Sequence, residues 1–226
     1  MNKKSAIFFI IVGVLCLLFG YLTINSRIQR GIIEKEIKKI YEVDLTSGKY
    51  NYDIKSSFSY AKVEENIKKY ISNMNNNYLD IYKLINDSNI NSILSYDNYV
   101  SDKPEFKNSI KTINDTKSSI NKKFDKLIND SNDNNLINEV KNNSPIIYRG
   151  FCDQLLNTNT MISYLNDNKD KFIKLRDKYN DLLDNEKLVI NFLKDNSDNF
   201  ELNDGEIQFR NNELLEQYNN LVNKIK

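Results

Sequence analysis

The chain contains no histidine among its 226 residues and only two cysteines, two prolines and six glycines. Histidine is the usual side chain for proton transfer and metal binding at neutral pH. Its absence excludes Ser-His-Asp triads, most zinc sites and the Glu-x-x-His pattern of di-iron bundles. Few prolines and glycines argue against flexible linkers and against a β-sandwich with many tight turns. The composition therefore favours long helices.

The two cysteines also limit the chemistry, because Cys16 lies in a long apolar segment and leaves Cys152 alone in the remainder of the chain. No disulfide is expected within the soluble part. With no histidine and no second thiol nearby, we interpret Cys152 as a buried small residue and not as a nucleophile. Charge is balanced, with 32 Lys and Arg against 31 Asp and Glu. Such a chain has no general attraction for phosphate, so nucleic acid is not an expected partner.

A run of nineteen uncharged residues at 6–24 follows Lys3 and Lys4. At about 1.5 Å per residue, a helix of this length spans about 28 Å, close to the thickness of a bilayer's hydrocarbon core. A cleaved signal peptide would have a shorter apolar stretch and a small-x-small cleavage site, and a lipoprotein would need a small residue where Leu15 precedes Cys16. The sequence therefore predicts an uncleaved signal anchor, a single N-terminal transmembrane helix.

Two signals for membrane orientation disagree. Lys and Arg residues concentrate on the cytoplasmic side of a span. Lys3 and Lys4 precede the apolar run, whereas five basic residues follow it closely, namely Arg27, Arg30, Lys35, Lys38 and Lys39. This tally would keep the large domain in the cytoplasm. A short basic tail before a first apolar helix instead resembles an uncleaved signal, which exports the domain on its C-terminal side. We expect an extracytoplasmic domain, with the cytoplasm-facing arrangement as the alternative.

Beyond the apolar run, apolar residues recur every three or four positions, as on one face of an α-helix. We predict a mainly α fold, in which the transmembrane helix is followed by a bundle of about five helices and one C-terminal β-hairpin. Three parts are expected. Residues 1–25 form a cytoplasmic tail and the membrane anchor, residues 26–55 a juxtamembrane helical stalk and loop, and residues 56–226 the helical bundle domain.

Local signals mark the starts of individual helices. Asp102, two residues before Pro104, predicts a capped helix start there. The preceding helix is expected at 56–88, and its apolar stripe includes Ile67, Ile71, Met74 and Tyr78.

Ser144 followed by Pro145 is the clearest helix start in the chain. Apolar positions continue from there to about residue 195. The segment 145–195 is interpreted either as one bent helix or as an antiparallel pair separated by the polar stretch 166–170.

The segment 199–210 alternates apolar and polar residues around Asp204-Gly205, a pattern typical of a β-hairpin. With these two residues as the loop, Leu202 faces Ile207 and Phe200 faces Phe209. All four apolar side chains then share one face, which we expect to pack on the helices. Gly205 is expected to hold a positive φ.

The C-terminal part resembles the YiaF-type family of bacterial cell-envelope lipoproteins. The similarity rests on Ile207-Gln208-Phe209 and on Tyr218-Asn219-Asn220-Leu221, with a nine-residue step from Phe209 to Tyr218. It covers the last 35 to 40 residues. The resemblance implies an envelope-anchored helical domain, and it implies no catalytic residue.

Carboxylates provide the remaining candidates for chemistry. Asp177, Asp181 and Asp184 fall on one helix face, but Lys174 and Lys178 alternate with them, as on an ordinary solvated surface. The motif at 130–135 begins like a calcium loop but has Asn at its sixth position and Lys141 at its twelfth, where Gly and Glu are required.

Tyrosines are frequent, and we interpret most of them as packing residues, with a peptide or glycan surface as the alternative. No catalytic, cofactor-binding or metal residue is assigned.

We predict a non-catalytic binding or structural protein of the bacterial cell envelope, held in the membrane by one helix. A protein or another envelope component is its expected partner. Two alternatives remain. One is a cytoplasm-facing scaffold in which the stalk pairs with another helix, and the other is a carboxylate-dependent envelope enzyme. A concave pocket with convergent acids of raised pKa would favour the enzyme.

Overall fold

A computed structural model describes residues 3–48, 50 and 52–225 of the chain. The α-helices follow in the order α1 (Lys3–Ile40), α2 (Ser59–Ile85), α3 (Ser88–Asn91), α4 (Tyr96–Asp102), α5 (Lys107–Asp130), α6 (Asp133–Asn143), α7 (Arg149–Leu156), α8 (Asn159–Asp195) and α9 (Asn212–Val222). Strands β1 (Phe200–Asn203) and β2 (Glu206–Phe209) precede α9. The predicted mainly α fold with one C-terminal hairpin is confirmed, and short helices such as α3 and α4 raise the number of helices above the expected five.

Helix α1 continues without a break from the apolar run into the polar part of the chain. Its residues 10–24 are exposed and almost entirely apolar. Within the described part of the chain, α1 is the helix that is long and apolar enough to cross a membrane.

The chain forms two compact units by its internal contacts. Unit 1 consists of Met1–Asn73 and Asp133–Tyr164, and unit 2 of Met74–Asn132 and Leu165–Lys226. Each unit has its own apolar interior. The interior of unit 1 includes Ile33, Ile37, Ile40, Val63, Ile67, Ile71, Leu136, Val140, Phe151 and Leu156. Residues expected in a stalk are therefore part of this interior, because α1 lies beside α2 there.

The interior of unit 2 is built from long helices and aromatic rings. Its buried residues include Met74, Tyr78, Phe106, Ile113, Ile120, Phe124, Leu127, Phe172, Leu183, Val189, Leu193 and Phe200. The Tyr78 ring stacks on that of Phe172, and the Phe124 ring stacks on that of Tyr179, each at 6.2 Å between centroids. The predicted apolar stripe of α2 is confirmed, because Ile67, Ile71, Met74 and Tyr78 are all buried.

The start of α5 differs from the prediction. The helix begins at Lys107 and not at Asp102, which is the last residue of α4. Asp102 nevertheless caps α5, because its carboxylate accepts hydrogen bonds from the backbone N–H groups of Asn108 and Ser109 and from the Ser109 hydroxyl. Burial opposes the Asp102 charge, but these hydrogen bonds outweigh it and lower the Asp102 pKa.

The segment 145–195 contains a break that neither sequence-based alternative placed correctly. A 3-10 turn at Ile146–Tyr148 leads into α7, and α8 begins at Asn159. The polar stretch 166–170 lies inside α8 and does not interrupt it. The break falls at 157–158 because the Thr158 hydroxyl accepts a hydrogen bond from the Met161 N–H, which caps α8 locally.

The hairpin has the predicted register, with Phe200 opposite Phe209 and Leu202 opposite Ile207. Asp204 and Gly205 both have positive φ, at 51° and 83°, as a two-residue type I′ turn requires. Burial is less complete than expected. Phe200 is buried, but Leu202, Ile207 and Phe209 are only half-buried. The hairpin has no further strand beside it in the described chain, so the outer edge of each strand lacks a strand partner.

Candidate functional site

The most unusual polar feature of unit 1 is a buried cluster of charges between α1 and α2. The Lys68 Nζ lies 2.6 Å from Oε2 of Glu36 on α1 and 2.6 Å from Oε1 of Glu64 on α2. All three side chains are buried, and Glu64 and Lys68 are 1% and 3% exposed. We call these residues the Lys68 cluster. It joins the helix that carries the apolar run to the first helix of the bundle.

The Lys68 cluster also holds the loop between α1 and α2. Glu64 accepts hydrogen bonds from the backbone N–H groups of Lys55 and Ser56, and the Lys68 ammonium donates to the carbonyl of Asp53 at 2.7 Å. Gln29 on α1 accepts a hydrogen bond from the Ser57 N–H at 2.7 Å. Glu64 thus receives donors from the backbone as well as from lysine, whereas Glu36 accepts from Lys39 and Lys68.

The contacts within this cluster favour its charged state. Burial opposes the charge on Glu36 and on Glu64, but hydrogen bonds and ion pairs with lysine, and for Glu64 with backbone N–H groups, outweigh burial and lower both pKa values. Burial likewise opposes the Lys68 charge, and hydrogen bonds with the two glutamates outweigh it and raise the Lys68 pKa. A general acid or base needs a pKa near the working pH. These shifts move all three pKa values away from neutral pH, so the cluster is better suited to holding α1 and α2 together than to proton transfer.

Sequence reasoning missed the Lys68 cluster. Charged side chains on a helix usually face solvent, but Glu64 and Lys68 fall within the apolar stripe of α2, next to Val63 and Ile67. A Glu and a Lys four positions apart inside an apolar stripe were the available signal. Glu36 had no such signal, because its partner lies 32 residues away in sequence.

A second group of contacts lies where α1 leaves the apolar run. The Tyr60 hydroxyl and the Ser26 hydroxyl are 2.6 Å apart. The Tyr60 ring packs edge-on against Tyr148 at 4.6 Å and against Phe151 at 5.7 Å. The Arg30 guanidinium sits 4.8 Å from the centre of the Phe151 ring, as in a cation–π contact.

Beside these rings, unit 1 has an open cleft of about 350 Å³. Arg30, Glu34 and Lys38 line it from α1. Its other wall is formed by Tyr41, Phe151, Gln154, Leu155, Thr158 and Thr160. The volume of this cleft lies in the range of small-molecule sites, and its lining combines aromatic surface with charged groups.

The aspartates singled out from the sequence lie on the surface of unit 2. Asp184 pairs with Lys117 at 2.6 Å, and Asp177 contacts the Arg176 guanidinium at 3.3 Å. Asp177 and Asp181 line a shallow groove of about 540 Å³ together with Lys174, Lys178, Tyr179, Leu182, Asn185, Lys224 and Ile225. Lysines alternate with the acids, which is the arrangement of a solvated face.

Metal binding and the reactivity of Cys152 are the two remaining questions of site chemistry. Among the described residues, no group of three or more Cys, Asp or Glu side chains is arranged to hold a metal ion. Cys152 is fully buried, as expected, and burial raises the pKa of its thiol. A raised pKa lowers the fraction of thiolate, so Cys152 is poorly suited to nucleophilic attack.

Unit 2 contains a tyrosine pair beside the hairpin. The hydroxyl groups of Tyr99 and Tyr218 are 3.4 Å apart. They border a groove of about 370 Å³ that also includes Tyr96, Gly205, Glu206, Ile207, Leu215 and Asn219. Glu186 is buried, and within the described chain its Oε2 atom has no hydrogen-bond partner. Burial raises the pKa of Glu186 from an ordinary 4.5 to about 7.

Comparison with family models, with curated proteins and with solved structures finds no match to this chain.

Proposed function

We propose that this protein is a non-catalytic binding protein of the bacterial cell envelope, anchored in the membrane by α1 and carrying its two units outside the cytoplasm. One observation supports the proposal above the others. Helix α1 runs unbroken from an exposed apolar segment into the interior of unit 1, where Ile33, Ile37 and Ile40 are buried. Such a helix serves as tether and as structural element at once.

A rigid tether suits a protein that presents a surface at a fixed distance from the bilayer. The Lys68 cluster fastens α1 to α2, and the Ser26–Tyr60 contact fastens it again closer to the apolar run. The cleft at Arg30, Lys38 and Gln154 lies along the same stretch of α1. Its charged and aromatic lining favours a polar envelope component as the ligand.

The alternatives are distinguished by specific features. Resemblance of the C-terminal segment to YiaF-type envelope lipoproteins supports the extracytoplasmic side, and the excess of Lys and Arg after the apolar run supports a cytoplasmic scaffold. For an enzyme, the surface pairing of Asp177 and Asp184 offers no convergent acids. Binding therefore fits the observed side chains better than catalysis.

Protease accessibility tests the membrane orientation. Protease added to intact protoplasts should degrade both units, while a cytoplasmic marker protein survives. Protection in intact cells followed by digestion after lysis would contradict the extracytoplasmic proposal and support the scaffold.

Site-specific photo-crosslinking tests the cleft. A photoreactive residue at Gln154 should capture an envelope component in living cells, and the Arg30→Glu/Lys38→Glu variant should lose that adduct. The same probe at Asn142, an exposed position of α6 that is not part of the cleft lining, is the control. Equal labelling from both positions would argue against a specific site in the cleft.

A further inference from the structure

Three apolar side chains of unit 1 outside α1 are largely exposed to solvent. Phe58 and Ile146 are each 76% exposed, and Ile147 is 82% exposed. Phe58 also has a φ of 55°, in the left-handed region that non-glycine residues seldom adopt. Scattered apolar residues on a surface are common, but these three lie close to one end of the unit.

The contacts of α2 with α1 locate the first of these residues. Tyr60 on α2 meets Ser26 on α1, and Lys68, eight residues further along α2, meets Glu36, ten residues further along α1. The two helices therefore run side by side in the same direction, away from the apolar run. Phe58 lies at the turn into α2, between Ser57, whose N–H donates to Gln29 on α1, and Tyr60, whose hydroxyl meets Ser26.

The turn between α6 and α7 approaches the same end. Asn66 donates to the Asn143 carbonyl and to the Ser144 hydroxyl, about 9 Å further along α2 than Tyr60 at 1.5 Å per residue. Tyr148 then contacts Tyr60 itself. After it the chain returns, because Tyr164 on α8 donates to the carbonyl of Val43, beyond the end of α1. Ile146 and Ile147 thus lie in the turn that brings the chain from Asn66 back to Tyr60, the residue of α2 that meets Ser26 on α1.

The level of this end relative to a bilayer follows from helix geometry. Ser26 is two residues beyond Ile24, where the apolar run ends, which is a rise of about 3 Å. The polar interface of a bilayer leaflet is about 5 to 8 Å thick outside the hydrocarbon core. Tyr60 and Tyr148 therefore lie at the depth at which tyrosine is enriched in membrane proteins.

Basic side chains accompany the apolar ones. Arg27 on α1 and Arg149 at the start of α7 are both exposed. Arginine next to apolar side chains is the composition of surfaces that rest in the headgroup layer, where the guanidinium meets lipid phosphate and the apolar groups enter the acyl boundary.

We propose that Phe58, Ile146 and Ile147, flanked by Arg27 and Arg149, form a membrane-docking face that inserts into the interfacial layer of the same bilayer that α1 spans. The occupant is lipid, because the Ser26–Tyr60 and Tyr60–Tyr148 contacts bring this turn close to the residue at which the apolar run of α1 ends. This inference rests on the proposed anchoring of α1 in a membrane, and it holds for either side of that membrane. Insertion would hold unit 1 against the bilayer in addition to the single tether.

The absence of tryptophan from the chain makes a direct test possible. Each of four full-length variants would carry one tryptophan as its sole such fluorophore: Phe58→Trp, Ile147→Trp, Phe19→Trp and Glu42→Trp. The variants would be reconstituted at one copy per nanodisc, in phosphatidylcholine containing phosphatidylglycerol, with and without brominated acyl chains. Phe19 lies in the apolar run and reports anchoring. Glu42 is exposed and follows the end of α1 at Ile40, which lies about 24 Å beyond Ile24 by helix rise, and it serves as the soluble control.

We expect brominated lipid to quench the Phe58→Trp and Ile147→Trp reporters, with emission shifted to shorter wavelength, and to leave the Glu42→Trp reporter unchanged. If Phe19→Trp is quenched while the other two behave like the control, the docking face is wrong and the membrane anchor stands. If Phe19→Trp is not quenched, the anchoring itself fails. A shifted emission at Phe58 and Ile147 without lipid quenching would mean that the chain itself covers them, which also overturns the inference.

Discussion

Lys68 and Glu36, 32 residues apart in sequence, meet with 2.6 Å between Nζ and Oε2 in the interior of unit 1. This pair makes the C-terminal part of α1 a component of the folded unit. Glu64 completes the cluster from the same helix as Lys68, and it is the more deeply buried of the two carboxylates. A buried ion pair adds little net stability relative to apolar residues, but removal of one partner is strongly destabilising.

We predict that Lys68→Met lowers the free energy of unfolding by about 3 to 5 kcal/mol, because Glu64 is left buried without its cation. Urea unfolding of the full-length protein in detergent, followed by circular dichroism, measures the change. Lys62→Met is the matched control on α2, because Lys62 pairs with Glu65 on the exposed surface and should contribute less than about 1 kcal/mol. Equal losses in the two variants would contradict the structural role of the cluster.

Glu186 should make the stability of the protein depend on pH. Its pKa is raised by burial to about 7, so between the unfolded value near 4.5 and pH 7 the folded state binds the proton more tightly. Stability attributable to this group is therefore present at low pH and is lost as the pH rises through 7. We expect Glu186→Gln to match wild type at pH 4.5 and to be more stable by about 3 kcal/mol at pH 8.

Urea unfolding at pH 4.5, 6 and 8 measures this difference. Glu139→Gln, on the exposed surface of α6, is the control and should show no pH-dependent gain. A gain at Glu186 that is constant across the three pH values would show that titration of this carboxyl is not its cause.

The two phenylalanines that face each other in the hairpin should differ in their effect on stability. Phe200→Ala should destabilise by about 3 to 5 kcal/mol, because its ring is 1% exposed. Phe209→Ala should have roughly half that effect. Its ring is half-buried, although it contacts Phe192, Phe200 and Tyr218. Thermal and urea unfolding of both variants test the order, and a larger loss at Phe209 would contradict the observed burial.

Backbone conformation alone should decide the effect of substitutions at Gly205. Its φ is +83°, and a Cβ atom there would meet no neighbouring atom within 4 Å. We expect Gly205→Val to destabilise by about 1 to 2 kcal/mol and Gly205→Asn by less, because asparagine tolerates the left-handed region better than a β-branched residue. Equal stabilities for the two variants would show that the turn relaxes to another conformation.

The hairpin was predictable because its determinants are local. The Asp204-Gly205 turn and the alternation on either side specify the register without reference to the remainder of the chain. How deeply each ring is buried is not determined by the neighbouring sequence. Phe200 reaches the interior of unit 2 and Phe209 does not, and this depends on helices whose positions the alternation does not encode.

Helical periodicity likewise predicted which residues of α2 are buried. It did not predict the start of α5 or the buried charges of the Lys68 cluster. Asp102 was recognised as a cap, yet it caps α5 across an intervening turn, so the helix start was misplaced. The Lys68 cluster depends on Glu36 from another helix, and a rule that assigns charges to solvent cannot find such a pair. The position of Ile146 and Ile147 near Tyr60 follows from the contact of Tyr148 with Tyr60, which no local sequence pattern indicates.

Because α1 is unbroken, the number of residues between the apolar run and Ser26 fixes the rotation of unit 1 about the α1 axis. Each residue turns an α-helix by about 100° and advances it by about 1.5 Å. One alanine inserted between Ile24 and Asn25 would leave the contacts of Ser26 and Glu36 intact, yet it would swing unit 1 by about 100° around the tether. Seven inserted residues would restore nearly the original azimuth and raise the unit by about 10 Å. Rotation of the apolar run of α1 about its own axis therefore rotates the whole surface of unit 1 by the same angle.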